Sequence, residues 1–363
     1  MLACGAVALV AAFVHVPEAA SASHSDVALL TPGRAVRRTL SAGQTHRYEV
    51  AMRTGEFLDV TIEQLNIDTA ARVFDAAGTL VREFDSPTGA LGRERVRMVA
   101  DTTAAYRLEV RALQPEADAG AYEIRIASKR AATEADRKMA AAVQAEAEAD
   151  KLRATAETRG KSVEAFQRAR VLWQSAADRA GEASTLRGLG FAYVRLKDDA
   201  KAQEVFTEAQ RIFRELGDRR ADAYVYLILA NIETRRGNLW AALASTTQSL
   251  PLWRSSKDRE QEAFTLASLG TIHARLGDAS QMKQWHRDAV RVARSTRRPA
   301  LVAAVFQSEG GASEILGDRK HARAAYQSAL ELWRAAGNSR GEAAARTRIV
   351  ELEKPAMSSG LVR

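Results

Sequence analysis

The sequence predicts an α+β multidomain chain: an N-terminal β-sandwich of jelly-roll-like form followed by an all-α solenoid. Three observations carry that expectation. A six-residue block recurs at a fixed interval, as Asp178-Arg179-Ala180-Gly181-Glu182-Ala183, Asp218-Arg219-Arg220-Ala221-Asp222-Ala223 and Asp258-Arg259-Glu260-Gln261-Glu262-Ala263, then weakly from Arg298 to Ala303, then as Asn338-Ser339-Arg340-Gly341-Glu342-Ala343. A fixed period of this size is the mark of stacked supersecondary units. From Arg34 to Ser128 the apolar residues instead alternate with polar ones, the period of half-buried strands. Finally, 363 residues with 46% hydrophobic and 27% charged content provide for two folded regions rather than a disordered chain.

The chain opens on an apolar stretch, Met1 to Val16, broken by Pro17-Glu18 and followed by Ala20-Ser21-Ala22, an A-x-A cleavage pattern. The stretch is shorter than the roughly 20 residues a membrane span takes. It predicts a signal peptide over 1–22 and export to the periplasm or the medium, although no Lys or Arg precedes the apolar core; a buried core strand is the alternative. Met1-Leu2-Ala3-Cys4 has the letters of a lipid-attachment box, but its apolar run follows the cysteine, in the wrong order. Cys4 is the single cysteine, so a processed chain would hold no thiol nucleophile, disulfide or thiolate metal site.

The strands of the β region are read from Thr45-His46-Arg47-Tyr48-Glu49-Val50, Phe57 to Ile62, Tyr106 to Val110 and Tyr122 to Ile126. Turn signals separate them at Ser41-Ala42-Gly43, Arg53-Thr54-Gly55, Ala76-Ala77-Gly78, Ser86-Pro87-Thr88-Gly89 and Ala119-Gly120. About eight short strands with such punctuation suit a small sandwich over 30–128. Tyr48 ahead of a glycine turn, the Phe57 to Ile62 strand and the Asp68 to Gly78 segment together resemble the bacterial pre-peptidase C-terminal domain, a secreted accessory module. The carboxylates Asp59, Asp68, Asp75 and Asp85 raise a calcium site, but their spacing fits no calcium loop, and turn capping accounts for them better.

Thr133-Glu134-Ala135-Asp136 caps a helix that should run to about Glu157 and stop at Arg159-Gly160, making 131–160 a helical linker or a first, degenerate repeat helix. A second amphipathic helix is expected from Lys161 to Ala176, and the repeats fill 161–353, leaving a tail over 354–363. Within each repeat, Leu189-Gly190 recurs as Leu229-Ala230, Leu269-Gly270 and Glu309-Gly310, where a small residue lets two helices approach. Turns follow at Leu196-Lys197-Asp198, Arg236-Gly237-Asn238, Leu276-Gly277-Asp278 and Leu316-Gly317-Asp318. Ala202, Ala242, Met282 and Ala322 share one position, and Phe206, Thr246, His286 and Tyr326 another. Trp173, Trp253 and Trp333 recur on the second helices as inter-repeat core, while Trp240 and Trp285 fall outside that column.

Leu186, Leu189, Gly190, Tyr193, Ala202, Phe206 and Ala209 fall on the signature positions of the tetratricopeptide repeat, which the 160–353 region resembles in a long, 40-residue form. The usual unit is shorter, at roughly 34 residues. The six extra positions are expected near Leu216-Gly217-Asp218-Arg219. That resemblance implies four to five helix pairs whose first helices line a concave, partner-binding face. It places Arg187, Phe191 and Arg195 there, with Tyr224, Asn231 and Arg235 from the next repeat and Phe264 and Arg275 from the third. Arg195, Arg235 and Arg275 form a column suited to an acidic peptide. The alternative is that these arginines, each ending its helix, only complement the helix dipole. The carboxylate clamp of chaperone-binding tetratricopeptide domains is not reproduced, because Phe191 stands where that clamp has asparagine.

Charge is consistent with a protein partner. Residues 26–130 hold 15 Lys/Arg against 15 Asp/Glu, whereas 131–363 hold 38 against 29, so the excess of the +8 chain lies on the repeats. No basic run interleaved with aromatics points to nucleic acid. His15, His24, His46, His273, His286 and His321 form no metal spacing, no phosphate loop or nucleophile elbow occurs, and no cofactor is implied. The expectation is an exported, non-enzymatic adaptor binding a protein or peptide in the concave groove. A β module before long repeats also resembles the front portion of CHAT-domain, caspase-like proteases. A surface- or glycan-binding sandwich with the repeats as spacer is the third reading.

Overall fold

In the computed structural model the described residues are 27–41, 43–84, 92–113 and 119–354. The signal peptide over 1–22 with Cys4, His15 and His24, the Ser86 to Gly89 turn with Asp85, and residues 355–363 of the tail lie outside them.

Among the described residues nine strands build the β region: β1 (Val27–Leu29), β2 (Val36–Leu40), β3 (Thr45–Met52), β4 (Glu56–Leu65), β5 (Thr69–Phe74), β6 (Leu80–Phe84), β7 (Arg93–Val99), β8 (Ala104–Ala112) and β9 (Gly120–Ala131). One sheet has the order β1-β3-β8-β5-β6 and the other β2-β9-β4-β7. All pairings are antiparallel except β1 with β3. The alternation expected from sequence is what buries Tyr48, Val50 and Met52 of β3 and Tyr106, Leu108 and Val110 of β8. Inside the sandwich Tyr48 and Tyr122 share a hydroxyl–hydroxyl bond of 2.5 Å, and His46 Nδ1 lies 2.7 Å from the Tyr122 hydroxyl. Asp75 accepts the Thr79 amide across a turn, and Asp59 pairs with Arg95. Turn and ion-pair roles thus account for both of these carboxylates.

Among the described residues eleven helices follow: α1 (Glu134–Arg153), α2 (Arg159–Ser175), α3 (Arg179–Arg195), α4 (Asp199–Glu215), α5 (Arg219–Arg236), α6 (Leu239–Ser255), α7 (Arg259–Arg275), α8 (Ala279–Ser295), α9 (Pro299–Ile315), α10 (Arg319–Ala335) and α11 (Ser339–Glu353). They pair as α1/α2, α3/α4, α5/α6, α7/α8 and α9/α10, with α11 against α10. Arg159-Gly160 was expected to end a helix; instead it starts α2, because the break falls at Ala154–Thr158.

The six extra positions of each unit form no longer connection. Position 217 sits in a short turn like the one at 197, and left-handed backbone recurs at even intervals, at Ala177, Lys197, Gly217, Gly237, Lys257, Gly277, Arg297, Gly317 and Gly337. Each repeat unit is two near-equal helix–turn halves, with the added length wound into helix. After most of these turns an aspartate accepts the amide three residues on: Asp178, Asp198, Asp218, Asp258, Asp278 and Asp318 all do so, as does Asn338.

Packing explains the repeat columns. A Cβ on Gly190 would lie 2.7 Å from the Phe206 ring, and one on Gly310 2.7 Å from the Tyr326 ring. Where the glycine becomes Ala230, the ring opposite becomes Thr246. Trp173 and Trp253 are buried and Trp333 half-buried, as inter-repeat core. Trp240 is 72% exposed, and Trp285 stacks on His273 with centroids 6.5 Å apart. His286 is fully buried over Gly270, with Nδ1 3.0 Å from the Met282 carbonyl.

The sandwich and the first repeat share a core. Ala142 and Val143 of α1 and Trp173 of α2 pack with the strand interior, flanked by Met139 and Leu172. Arg97 of β7 pairs with Asp178, the residue that caps α3.

Candidate partner-binding face

The sequence-predicted residues fall on three successive first helices, α3, α5 and α7, and the structure separates them into two groups. Arg195, Asn231 and Arg275 are exposed, and among the described residues their side chains have no hydrogen bond or ion pair. Phe264 is 36% exposed, unusual for an aromatic ring in the middle of a packed array, and Tyr224 is half-buried. These five side chains are open to a partner.

The other three are committed within the chain. Arg235 pairs with Asp199 at the start of α4, at 2.6 Å. The arginine column is therefore not three equivalent free cations: its middle member already has a carboxylate. Phe191 meets Phe206 edge to face, with ring centroids 5.3 Å apart, so it is half core. Arg187 belongs to a charge cluster at the junction with the sandwich, which sequence reasoning did not anticipate.

That cluster is built on Glu146 of α1. Its carboxylate accepts hydrogen bonds from Trp173 Nε1, at 3.2 Å, and from Thr185. Burial raises the pKa of Glu146, opposed by Thr185, Arg82 and Trp173. Asp150, one turn further along α1, is also raised by burial, against the attraction of Arg153, Arg82 and Arg187. Arg82 reaches over from β6, and burial lowers its pKa to about 10 against the pull of Glu146 and Asp150. Burial likewise lowers Arg187, with Tyr224, Asp218, Glu146 and Glu94 of β7 holding its charge. The sandwich packs on α1 through β7, and Arg187 is half-buried within reach of the negative charge of Glu146 and Glu94, with a hydrogen bond to Ser184 at 3.4 Å. The signal that could have revealed this is Glu146 and Asp150, two acids four residues apart on an alanine-rich helix with no lysine or arginine spaced to pair with both.

Among the described residues no group of three or more His, Cys, Asp or Glu could hold a metal, and no helix is long and apolar enough to cross a membrane.

Residues 157–215 match the tetratricopeptide repeat family model, spanning α2, α3 and α4. The helices form a tetratricopeptide-like solenoid. No curated protein matches the chain. Among solved structures, BtubC from P. vanneervenii is 20% identical over 57% of this chain and 94% of its own, with a TM-score of 0.41. The nearly identical TPR-like repeats of a Podosopora anserina putative kinesin light chain are 12% identical over 57% of this chain and 100% of theirs, with a TM-score of 0.47. The pre-peptidase C-terminal domain of a Bacillus anthracis collagenase is 13% identical over 29% of this chain and 99% of its own, with a TM-score of 0.25. The solenoid assignment rests on the family match and on the helix hairpins themselves. Its first helices α7 and α9 pack side by side, whereas α5 packs on α4 and α6 rather than on α3 or α7.

Proposed function

We propose that the chain is an exported, non-enzymatic adaptor that holds a protein segment along the first-helix face of its solenoid. The observation that carries this reading is the row of open side chains on consecutive first helices: Arg195 on α3, Tyr224 and Asn231 on α5, Phe264 and Arg275 on α7. Unpaired guanidinium groups at the ends of α3 and α7 and an exposed aromatic ring nearer the start of α7 suit a segment that brings carboxylates and one apolar anchor. The shared core of sandwich and first repeat supports treating the β region as part of the scaffold, rather than as a free module on a spacer. Export rests on the apolar start and the Ala20-Ser21-Ala22 pattern.

The test is to recover the partner by affinity purification from the source cells and to titrate it against purified Phe264→Ser and Arg195→Glu/Arg275→Glu variants. Weakening by both variants is expected; a partner whose Kd neither variant moves would sink the groove assignment. Fractionation with N-terminal sequencing addresses export, where a cytosolic protein starting at Met1 is the refuting result.

A further inference from the structure

Neighbouring repeats are stitched by a ladder with one rung per repeat. Gln174 donates to Glu182 at 2.6 Å, Arg214 pairs with Asp222 at 3.1 Å, Arg254 with Glu262 at 2.9 Å and Arg334 with Glu342 at 2.9 Å. One rung is missing. At the α8–α9 junction the ladder arginine is Arg294, but buried Val302 stands where the sister repeats have their acid. The aspartate that caps the first helix in other repeats is also replaced there, by Arg298. Among the described residues the Arg294 side chain has no hydrogen bond or ion pair, and it is exposed.

Arg294 instead lines a groove of about 450 Å³ with Arg287, Arg291 and Val290 of α8 and with Phe306 and Glu309 of α9. The groove exists because Glu309 occupies the position of the buried leucines Leu189 and Leu269, and Phe306 beside it stays half-exposed. The one carboxylate in it is taken: Glu309 Oε1 lies 2.9 Å from His321 Nε2. Arg291 is paired with Asp288 on its own helix, and Arg287 holds only the amide oxygen of Gln284. Two guanidinium groups therefore flank an apolar floor of Val290 and Phe306 without a carboxylate of their own.

We propose that this α8–α9 groove is a second docking surface, and that it takes an extended acidic segment of a protein partner. Arg287 and Arg294 are seven residues apart, about 10 Å along the helix at roughly 1.5 Å per residue. On an extended strand alternate side chains share a face, so carboxylates four residues apart point the same way and span about 13 Å, a distance two arginines splayed apart can reach. The fitting segment thus carries two Glu or Asp at positions i and i+4, with an apolar side chain at i+2 on the same face seated on Val290 and Phe306. This surface is separate from the first-helix face and stands whether or not that face binds.

The experiment uses the full chain and a fluorescein-labelled synthetic peptide with glutamates four positions apart and a leucine midway between them, read by fluorescence anisotropy. Arg287→Glu/Arg294→Glu is expected to weaken binding by about 10-fold or more, and added salt to weaken the wild-type complex. Arg195→Glu/Arg275→Glu is expected to leave it unchanged. Val302→Glu, which supplies the missing acid and recaptures Arg294, should weaken the complex without reversing any arginine. If the charge reversals fail to fold by circular dichroism, Arg287→Gln/Arg294→Gln serves in their place. The proposal is overturned if the probe does not bind, if a peptide with the two glutamates adjacent binds equally well, if the α8 variants bind like wild type, or if only the α3/α7 variant loses binding.

Discussion

Replacing Gly190 by alanine sets two effects of known size against each other. Alanine gains about 1 kcal/mol over glycine in a helix interior. The new Cβ, however, would stand 2.7 Å from the ring of Phe206, a side chain with no exposed surface and an edge-to-face contact to Phe191 on its other side. Overpacking of that kind costs about 1–3 kcal/mol. The clash should win, so Gly190→Ala is expected to be destabilised by about 1 kcal/mol, where propensity alone predicts a gain. The neighbouring repeat shows the cure, since Ala230 faces Thr246 there. Phe206→Thr alone empties a core position and should cost about 3 kcal/mol. The double variant Gly190→Ala/Phe206→Thr should be more stable than the sum of the two by about 2 kcal/mol, because the ring that clashes is gone and the helix gain of alanine remains. Urea unfolding followed by circular dichroism on the four proteins measures the cycle. A Gly190→Ala protein as stable as wild type, or strict additivity, would refute the claim that glycine here makes room for the ring.

Other outcomes follow from single contacts. Lys257 is left-handed at φ 57°, where two of its sister turns have Gly217 and Gly337, so Lys257→Gly should raise stability by about 1 kcal/mol in the same unfolding assay. Asp258 caps α7 and also pairs with Arg220 at 2.8 Å, so Asp258→Ala should cost about 1–2 kcal/mol, read as a lower unfolding midpoint. Burial lowers the pKa of His286 below 6.5, with Glu309 opposing and His321 reinforcing the shift. Below that pH the unfolded chain takes up more protons than the folded one, so the stability present above pH 6.5 should fall as the solution is acidified. His286→Phe should remove that part of the slope, and an unchanged slope would reject the assignment. Removing Arg97 strands Asp178 at the sandwich–solenoid junction; Arg97→Ala should cost about 2–4 kcal/mol and open the 131–134 link to limited proteolysis.

Most of the solenoid is legible in the sequence because its determinants are local. An aspartate cap, a residue able to turn left-handed and a glycine opposite a ring each act within a few residues of chain, and the repeat multiplies the signal. The half-period was missed for a physical reason: the left-handed sites at Ala177, Lys197, Lys257 and Arg297 are not glycine, so the sequence marks only some of the turns clearly. The binding face is less legible. That Arg187, Phe191 and Arg235 point toward one side follows from the repeat register, but whether each is free depends on Glu146, Phe206 and Asp199, which lie in other helices. The α8–α9 groove was visible as a departure at Glu309, yet its meaning needed the other rungs of the ladder, whose partners are eight residues apart across a turn.

The departures from the repeat locate the places where a partner can act. Where the pattern is kept, polar groups answer one another: the ladder arginines meet their acids, and the capping aspartates meet helix amides. At the first repeat the pattern bends to receive the sandwich, and Arg82, Glu146, Asp150 and Arg187 balance across that junction. At the α8–α9 junction the pattern bends with no such internal answer, since Val302 and Arg298 remove two acids together. A solenoid loses inter-repeat stability by giving up a rung, while the ring-over-small-residue packing persists through Gly310 and Tyr326. The loss therefore weakens no hairpin but leaves guanidinium groups unmatched on one edge. A free cation beside an apolar floor is useful only to something that brings its own carboxylate, which is why the groove, in addition to the open arginines of the first-helix face, should contribute specificity for an acidic partner.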